Sequence, residues 1–186
     1  MRKKKLFYIY VILALSHMLS ITSLVMQRNE IIMTLSLLLK LYVTLNLLIT
    51  DRSKIMVLSL LAQALSFGTA FVSGVIILSN TTTSPIIGIQ SLQLQFAYIF
   101  MGVADALVIL YVSRLSENLF LKRIYQMLSL IMISFISIGT LGFAFPVPTF
   151  LDVMVSVFEV TCYAGFVVTL LTELYLNTKS LKTEEI

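Results

Sequence analysis

Four residues that carry or can acquire a charge lie near the middle of long apolar segments of this 186-residue sequence. They are His17, Lys40, Asp105 and Glu159. A charged side chain that faces lipid at the centre of a membrane helix costs at least about 2.5–3.5 kcal/mol. Residues of this kind therefore face the protein interior, pair with one another and mark pathways for protons, ions or solutes.

The depth of each residue follows from the rise of an α-helix, about 1.5 Å per residue. His17 and Lys40 lie within about one residue of the midpoints of their segments, Asp105 about 3 Å inward and Glu159 about 6 Å outward. The four residues thus share one narrow slab at the bilayer centre. We expect Lys40 to pair with Asp105, which leaves Glu159 near His17 or uncharged.

Two carboxyl groups accompany one lysine in this slab, so their charges do not balance. A dry interior disfavours an unpaired charge, and therefore either one carboxyl holds a proton or His17 is protonated. Tyr163 follows Glu159 by four residues and Ser156 precedes it by three, which places both on one helix face with the carboxylate. We expect both hydroxyls to bond Glu159.

Together, five residues form a candidate site for a proton, an ion or a small solute: His17, Lys40, Asp105, Glu159 and Tyr163. Each charged residue alone has a simpler explanation, because a buried Lys–Asp pair can do no more than fasten two helices. Four such residues at one depth favour a functional polar site as much as a structural one.

Composition indicates the elements that position these residues. Hydrophobic residues make up 59% of the chain and charged residues 12%, against about 45–50% and about 25% in soluble domains. The sequence therefore predicts an all-α integral membrane protein. Its basic residues flank the apolar segments, which is typical of topology signals rather than of a nucleic-acid interface.

Apolar segments separated by polar breaks predict a single domain, a compact bundle of six transmembrane helices. The spans are 6–26, 31–50, 55–79, 86–113, 124–145 and 150–176, with a short polar tail over 177–186. The first segment has the length of a spanning helix, about 20 residues, whereas the apolar core of a cleaved signal is about 7–15 residues long. The charged connection over 114–123 could form a short interfacial helix.

The basic residues also predict orientation. With the N-terminus cytoplasmic, eleven Lys and Arg residues fall on the inner side, Arg28 falls on the outer side and Lys40 lies within the membrane. This asymmetry predicts an N-in/C-in protein of the cell membrane. Glu173 lies near an inner helix end, within reach of Lys122 or Lys179, and is less informative about a site.

Several functions conflict with the inventory of side chains. One histidine and one cysteine, Cys162, supply neither bis-histidine haem ligation nor a zinc or thiolate cluster, and allow no intrachain disulfide. No nucleophile lies beside a base and no phosphate-binding loop is present, so we expect neither an enzyme nor a cofactor. A glycosylation sequon, Asn80-Thr81-Thr82, falls on the predicted outer side.

Two functional hypotheses remain. The first is a transporter or channel-like protein that moves protons, ions or a small solute past the midplane residues. The alternative is a non-catalytic subunit or anchor of a larger membrane complex, whose polar residues fix helix packing and partner choice. In both cases we expect the lipid bilayer as the surrounding medium, and further copies of the chain or other membrane proteins as partners.

Overall fold

The computed structural model describes residues 2–26, 30–79, 87–141 and 149–183. Within those residues the chain forms six α-helices and no strands. The helices are α1 (Arg2–Val25), α2 (Glu30–Thr50), α3 (Lys54–Ser79), α4 (Ile87–Leu115), α5 (Leu119–Leu141) and α6 (Thr149–Thr183). Each contains a segment long and apolar enough to cross a membrane, so the prediction of six long apolar helices is confirmed. The sequon at 80–82 lies outside the described residues.

The largest difference from the predicted boundaries lies between α4 and α5. Because α5 begins at Leu119 rather than at residue 124, the 114–123 segment forms no separate interfacial helix. The side-chain oxygen of Asn118 accepts hydrogen bonds from the backbone N–H groups of Phe120 and Leu121, at 2.9 and 3.3 Å. This is the geometry of a helix N-cap, and it sets the start of α5. At the other end of the chain, α6 continues to Thr183, through most of the predicted tail.

The packing of the helices follows the order of the chain. Each helix packs against the next one, and α6 also packs against α1, so the described helices close into a ring. The largest fully buried side chains of the core include Tyr10, Tyr111, Tyr125 and Phe166. These aromatic residues line the interior of the ring, where long side chains from non-consecutive helices meet.

Helices α3, α4 and α5 approach closely where their side chains are small. The hydroxyls of Ser59 and Ser66 on α3 donate hydrogen bonds to the backbone oxygens of Ala104 and Ala97 on α4, at 3.1 and 2.8 Å. On the other face of α4, a Cβ atom added to Gly102 would lie 3.0 Å from a side-chain carbon of Ile136 on α5. Small residues at such positions let helix backbones pack without a hydrophobic driving force.

Large apolar side chains cover much of the outside of the bundle, and several charged or amide side chains are buried inside it beside the apolar core. Leu130 and Val168 are 65% and 63% exposed, whereas Gln63 and Asp105 are each 1% exposed. Soluble proteins place charged residues on the surface and almost never bury them fully. The exposed apolar surface and the buried charged residues of this bundle are therefore the reverse of what a water-soluble protein shows.

Candidate functional site

Asp105 lies at the centre of a buried polar cluster that joins four helices. Its Oδ2 atom accepts hydrogen bonds from Lys40 Nζ on α2 and from the Tyr163 hydroxyl on α6, each at 2.7 Å. Its Oδ1 atom lies 3.9 Å from Nε2 of His17 on α1. All four side chains are at most 3% exposed. One carboxylate on α4 is thus in contact with α1, α2 and α6 together.

The predicted pairing of Lys40 with Asp105 is confirmed. Lys40 also lies over the ring of Tyr163, with Nζ 4.8 Å from the ring centroid, a distance at which a cation is attracted to an aromatic face. Tyr163 therefore contacts both members of the ion pair. A buried ion pair needs additional polar contacts to offset the loss of hydration, and this tyrosine provides a hydroxyl donor for Asp105 and an aromatic face for Lys40.

The polar face of α2 extends the cluster beyond Lys40. Ser36 and Thr44 lie four residues before and after it and are both buried. The Thr44 hydroxyl accepts a hydrogen bond from the amide nitrogen of Gln63 on α3 at 2.8 Å. The Ser36 hydroxyl donates to the backbone oxygen of Ser16 on α1 at 2.8 Å. Both neighbours of α2 are therefore fastened to its polar face.

His17 is held in one orientation by its own helix. Its Nδ1 atom lies 2.9 Å from the backbone oxygen of Leu13, and because a carbonyl can only accept, Nδ1 carries the ring proton. The Nε2 atom of the neutral ring is then an acceptor directed toward Oδ1 of Asp105. Neither of these two buried atoms makes a hydrogen bond within the described part of the chain. A proton bound to either atom would turn two opposed acceptors into a donor and an acceptor.

Glu159 occupies a different place from the one predicted. Its side chain is partly exposed, and it lies within electrostatic range of Tyr163. The prediction that the Tyr163 hydroxyl bonds Glu159 is wrong, because that hydroxyl donates to Asp105. His17 likewise faces Asp105 rather than Glu159. The long phenol side chain reaches from α6 to the buried ion pair, which binds a donor more strongly than a partly solvated carboxylate does. The Ser156 side chain lies outside the described ones.

Glu173 is a second buried carboxyl group, and the prediction from the sequence gave its environment too little weight. Glu173 is 4% exposed and accepts a hydrogen bond from the Tyr125 hydroxyl on α5 at 2.7 Å. Among the described side chains it forms no ion pair, and Lys122 in particular makes none with it. The side chain of Lys179 lies outside the described residues. The sequence did contain a signal for this contact, because Tyr125 lies at the predicted inner end of a neighbouring helix.

The chemistry available to the Asp105 cluster is the exchange of protons and of ion-pair partners. Among the described residues, no three His, Cys, Asp or Glu side chains are grouped as metal ligands. Cys162 is buried and unbonded to another cysteine. Within the cluster, Asp105 and His17 can each gain or lose a proton, and Lys40 can respond to either change through its charge.

Comparison with known proteins adds no relationship. The chain matches no protein-family model, and no curated protein or solved structure resembles it at a significant level. The geometry of the buried residues is therefore the basis for a functional assignment.

Proposed function

We propose that this protein is a multi-pass protein of the cell membrane that couples the movement of protons, or of an ion or small solute, to protonation of Asp105. The observation that carries the proposal is that one buried carboxylate is contacted by three other helices, through His17, Lys40 and Tyr163. A change of charge at Asp105 alters every one of these contacts. Protonation is thereby linked to the relative positions of α1, α2, α4 and α6.

Membrane insertion is supported by the reversed distribution of side chains. The exposed surface carries several large apolar residues on each of α1, α2, α3, α5 and α6, and the interior holds Lys40, Asp105 and His17. Lipid favours this arrangement, because intramembrane ionisable residues face a bundle interior rather than acyl chains. The proposal that both termini are cytoplasmic rests on the sequence, which places eleven of the thirteen Lys and Arg residues on one predicted side. On that side Lys5 donates a hydrogen bond to Thr50, at 3.1 Å.

In this mechanism the ion pair between Lys40 and Asp105 holds α2 and α4 together as long as Asp105 is ionised. A proton that binds Oδ1, on the side of His17, neutralises the carboxylate and ends its attraction for the lysine. Removal of one partner from a buried ion pair costs about 3–5 kcal/mol. The Lys40 ammonium group then binds water, another carboxylate or an anionic solute. Because this new contact lies elsewhere, α2 moves relative to α4. Release of the proton restores the pair.

The test is proton flux in liposomes that contain the purified protein, recorded with a trapped pH-sensitive dye under an imposed membrane potential. Asp105→Asn keeps the size of the side chain and removes its charge, and we expect it to abolish flux. Glu30→Gln makes the same change of group at the first residue of α2, ten residues before Lys40, and should leave flux unchanged. Wild-type flux from a folded Asp105→Asn variant would overturn the proposal.

The alternative, a non-catalytic subunit of a membrane complex, is favoured by one feature. The same contacts that could carry protons also fasten α1, α2, α4 and α6 to a single point. Under this alternative the wild-type protein shows no flux, and Asp105→Asn lowers the amount of folded protein or dissociates a larger complex extracted in mild detergent.

A further inference from the structure

A second polar cluster lies inside the same ring of helices, around Glu173. The Tyr125 hydroxyl of α5 donates to its Oε2 atom at 2.7 Å, and the Ser116 side chain lies beside the same carboxyl group. Tyr125 and Tyr10 of α1 are at most 1% exposed, and Glu173 is 4% exposed. The carboxyl group of α6 is thus enclosed by side chains from two other helices and one loop.

The Tyr10 hydroxyl lies near this cluster and has no hydrogen-bond partner among the described residues. It is buried and lies within electrostatic range of Glu173. A buried hydroxyl without a partner costs about 1–3 kcal/mol. It is therefore a donor or acceptor available to whatever Glu173 binds or releases.

The charge environment of Glu173 contains no described cation. The titratable groups that face it are Tyr125 and Tyr10, with the carboxylate of Glu117 at the exposed loop. An ionised carboxylate buried among such groups has no opposite charge to offset its lost hydration, whereas the neutral acid can donate a hydrogen bond. Burial without a described cation thus favours a carboxyl group that carries a proton, while the hydroxyl donors of Tyr125 and Ser116 stabilise the ionised form.

The two clusters lie at different depths and are separated by an apolar layer. Tyr163, Phe166 and Glu173 lie along one face of α6, and the first and last are about 15 Å apart at 1.5 Å per residue. The layer between them includes Leu13 and Leu170, which are at most 1% exposed. The hydroxyls of Thr169 and Thr172 in this part of α6 donate to the backbone of their own helix, at 2.7 and 2.8 Å.

The ring of Phe166 is in contact with both clusters. Its centroid lies 4.8 Å from that of His17 and 5.7 Å from that of Tyr125, and both contacts are edge-to-face. The side chain is fully buried, with an exposure of 0%. One aromatic ring thus separates the histidine of the Asp105 cluster from the phenol that bonds Glu173.

We propose that Glu173 is a second proton-binding site and that Phe166 is the barrier between it and the Asp105 cluster. The inference rests on the proposed transport function. Glu173 first releases its proton toward the inner end of the bundle. When the Phe166 ring turns aside, water admitted past it carries the proton that leaves the Asp105 carboxyl to the Glu173 carboxylate. Asp105 then returns to its ion pair with Lys40, and Glu173 is again a neutral acid.

The first experiment tests the proton site without any flux. Infrared difference spectra of the purified full-length protein, recorded with and without ¹³C-labelled glutamate, report the carbonyl stretch of protonated Glu side chains. At neutral pH we expect one labelled band that is lost in Glu173→Gln and retained in Glu30→Gln. An unchanged band in folded Glu173→Gln would overturn the proton site.

The second experiment tests the barrier in liposomes. Phe166→Leu keeps an apolar side chain but removes the ring, and we expect a several-fold rise in proton flux. Phe158→Leu makes the same change at an exposed position of α6 and should leave flux unaltered. We expect Glu173→Gln to lower flux several-fold. Thermal unfolding of each variant in detergent shows whether it is folded, and Phe166→Met serves in place of a leucine variant that is not.

The outcomes separate this inference from the transport function. Flux that requires Asp105 but is unchanged by both Phe166→Leu and Glu173→Gln overturns the inference and leaves the transport function standing. Absence of flux in the wild-type protein overturns transport and the barrier with it. A glutamate carbonyl band lost in Glu173→Gln would still support the proton site in that case.

Discussion

The ammonium group of Lys40 lies 2.7 Å from Oδ2 of Asp105, with both side chains buried and 65 residues of sequence between them. The contact joins α2 to α4, which are not consecutive helices. Each charge depends strongly on the other, because burial removes most of the hydration of both side chains. Loss of one partner leaves an unpaired buried charge, whereas loss of both leaves none, so the two changes should affect stability differently.

Single and double substitutions of the ion pair should reveal this dependence. We expect Lys40→Met and Asp105→Leu each to lower the free energy of unfolding by about 3–5 kcal/mol, since each leaves an uncompensated buried charge. The double variant has no buried charge and should lose less than the sum of the two. Denaturant unfolding in detergent micelles measures the three values, and strict additivity would contradict a direct pair.

Tyr163→Phe removes one donor from Asp105 and keeps the aromatic ring beside Lys40. Hydrogen bonds to charged groups contribute about 1.5–3 kcal/mol, and we expect a loss of stability of that size. Thr161→Val is the matched control, because its exposed hydroxyl bonds only the backbone of Val157 in its own helix, at 2.8 Å. An equal loss in both variants would show that the Tyr163 hydroxyl has no special role.

Gly102→Val tests the close approach of α4 and α5. The added side chain meets Ile136, which lies 3.0 Å from the position of a new Cβ atom, and overpacking of this kind costs about 1–3 kcal/mol. Combination with Ile136→Ala makes room and should recover part of the loss. Gly68→Ala adds a methyl group where no atom lies within 4 Å and should not destabilise the protein. The readout is the midpoint of thermal unfolding.

The orientation of the bundle is open to a labelling experiment in whole cells. In a Cys162→Ser background, cysteines placed at Ser53 and Glu117 should resist a membrane-impermeant maleimide added outside. A cysteine at Thr82 should react with it. After the cells are opened, all three should be labelled. Reaction of the first two in intact cells would reverse the proposed N-in/C-in topology.

The helices and the main ion pair could be predicted from the sequence for a simple reason. Lipid tolerates only continuous apolar segments, so the segments themselves reveal the helices. Lys40 is the one lysine in the middle of such a segment, and Asp105 lies at nearly the same depth. Depth along a helix increases in proportion to residue number, so the depths of these two residues were almost enough to predict their pairing.

The partners of Tyr163 and Glu173 depend on how each helix is rotated about its axis, which the sequence of α6 does not specify. Spacing places Tyr163 and Glu159 on one side of the helix, yet the phenol reaches Asp105 on another helix. For Glu173, charge alone suggested a lysine, whereas the structure provides the hydroxyl of Tyr125. Hydroxyl partners are harder to predict than charged ones, because many more residues can supply them.

The distance in sequence between Lys40 and Asp105 has a consequence for the synthesis of the protein. A ribosome adds about 5–20 residues per second, so the 65 residues that separate them take roughly 3–13 s to make. During that interval Lys40 has been made and its counter-charge has not. In the proposed membrane topology, the lysine therefore has no carboxylate partner until α4 is made. A chain without Asp105 never provides a partner for Lys40, and we expect quality-control proteases to degrade it as an incompletely folded protein.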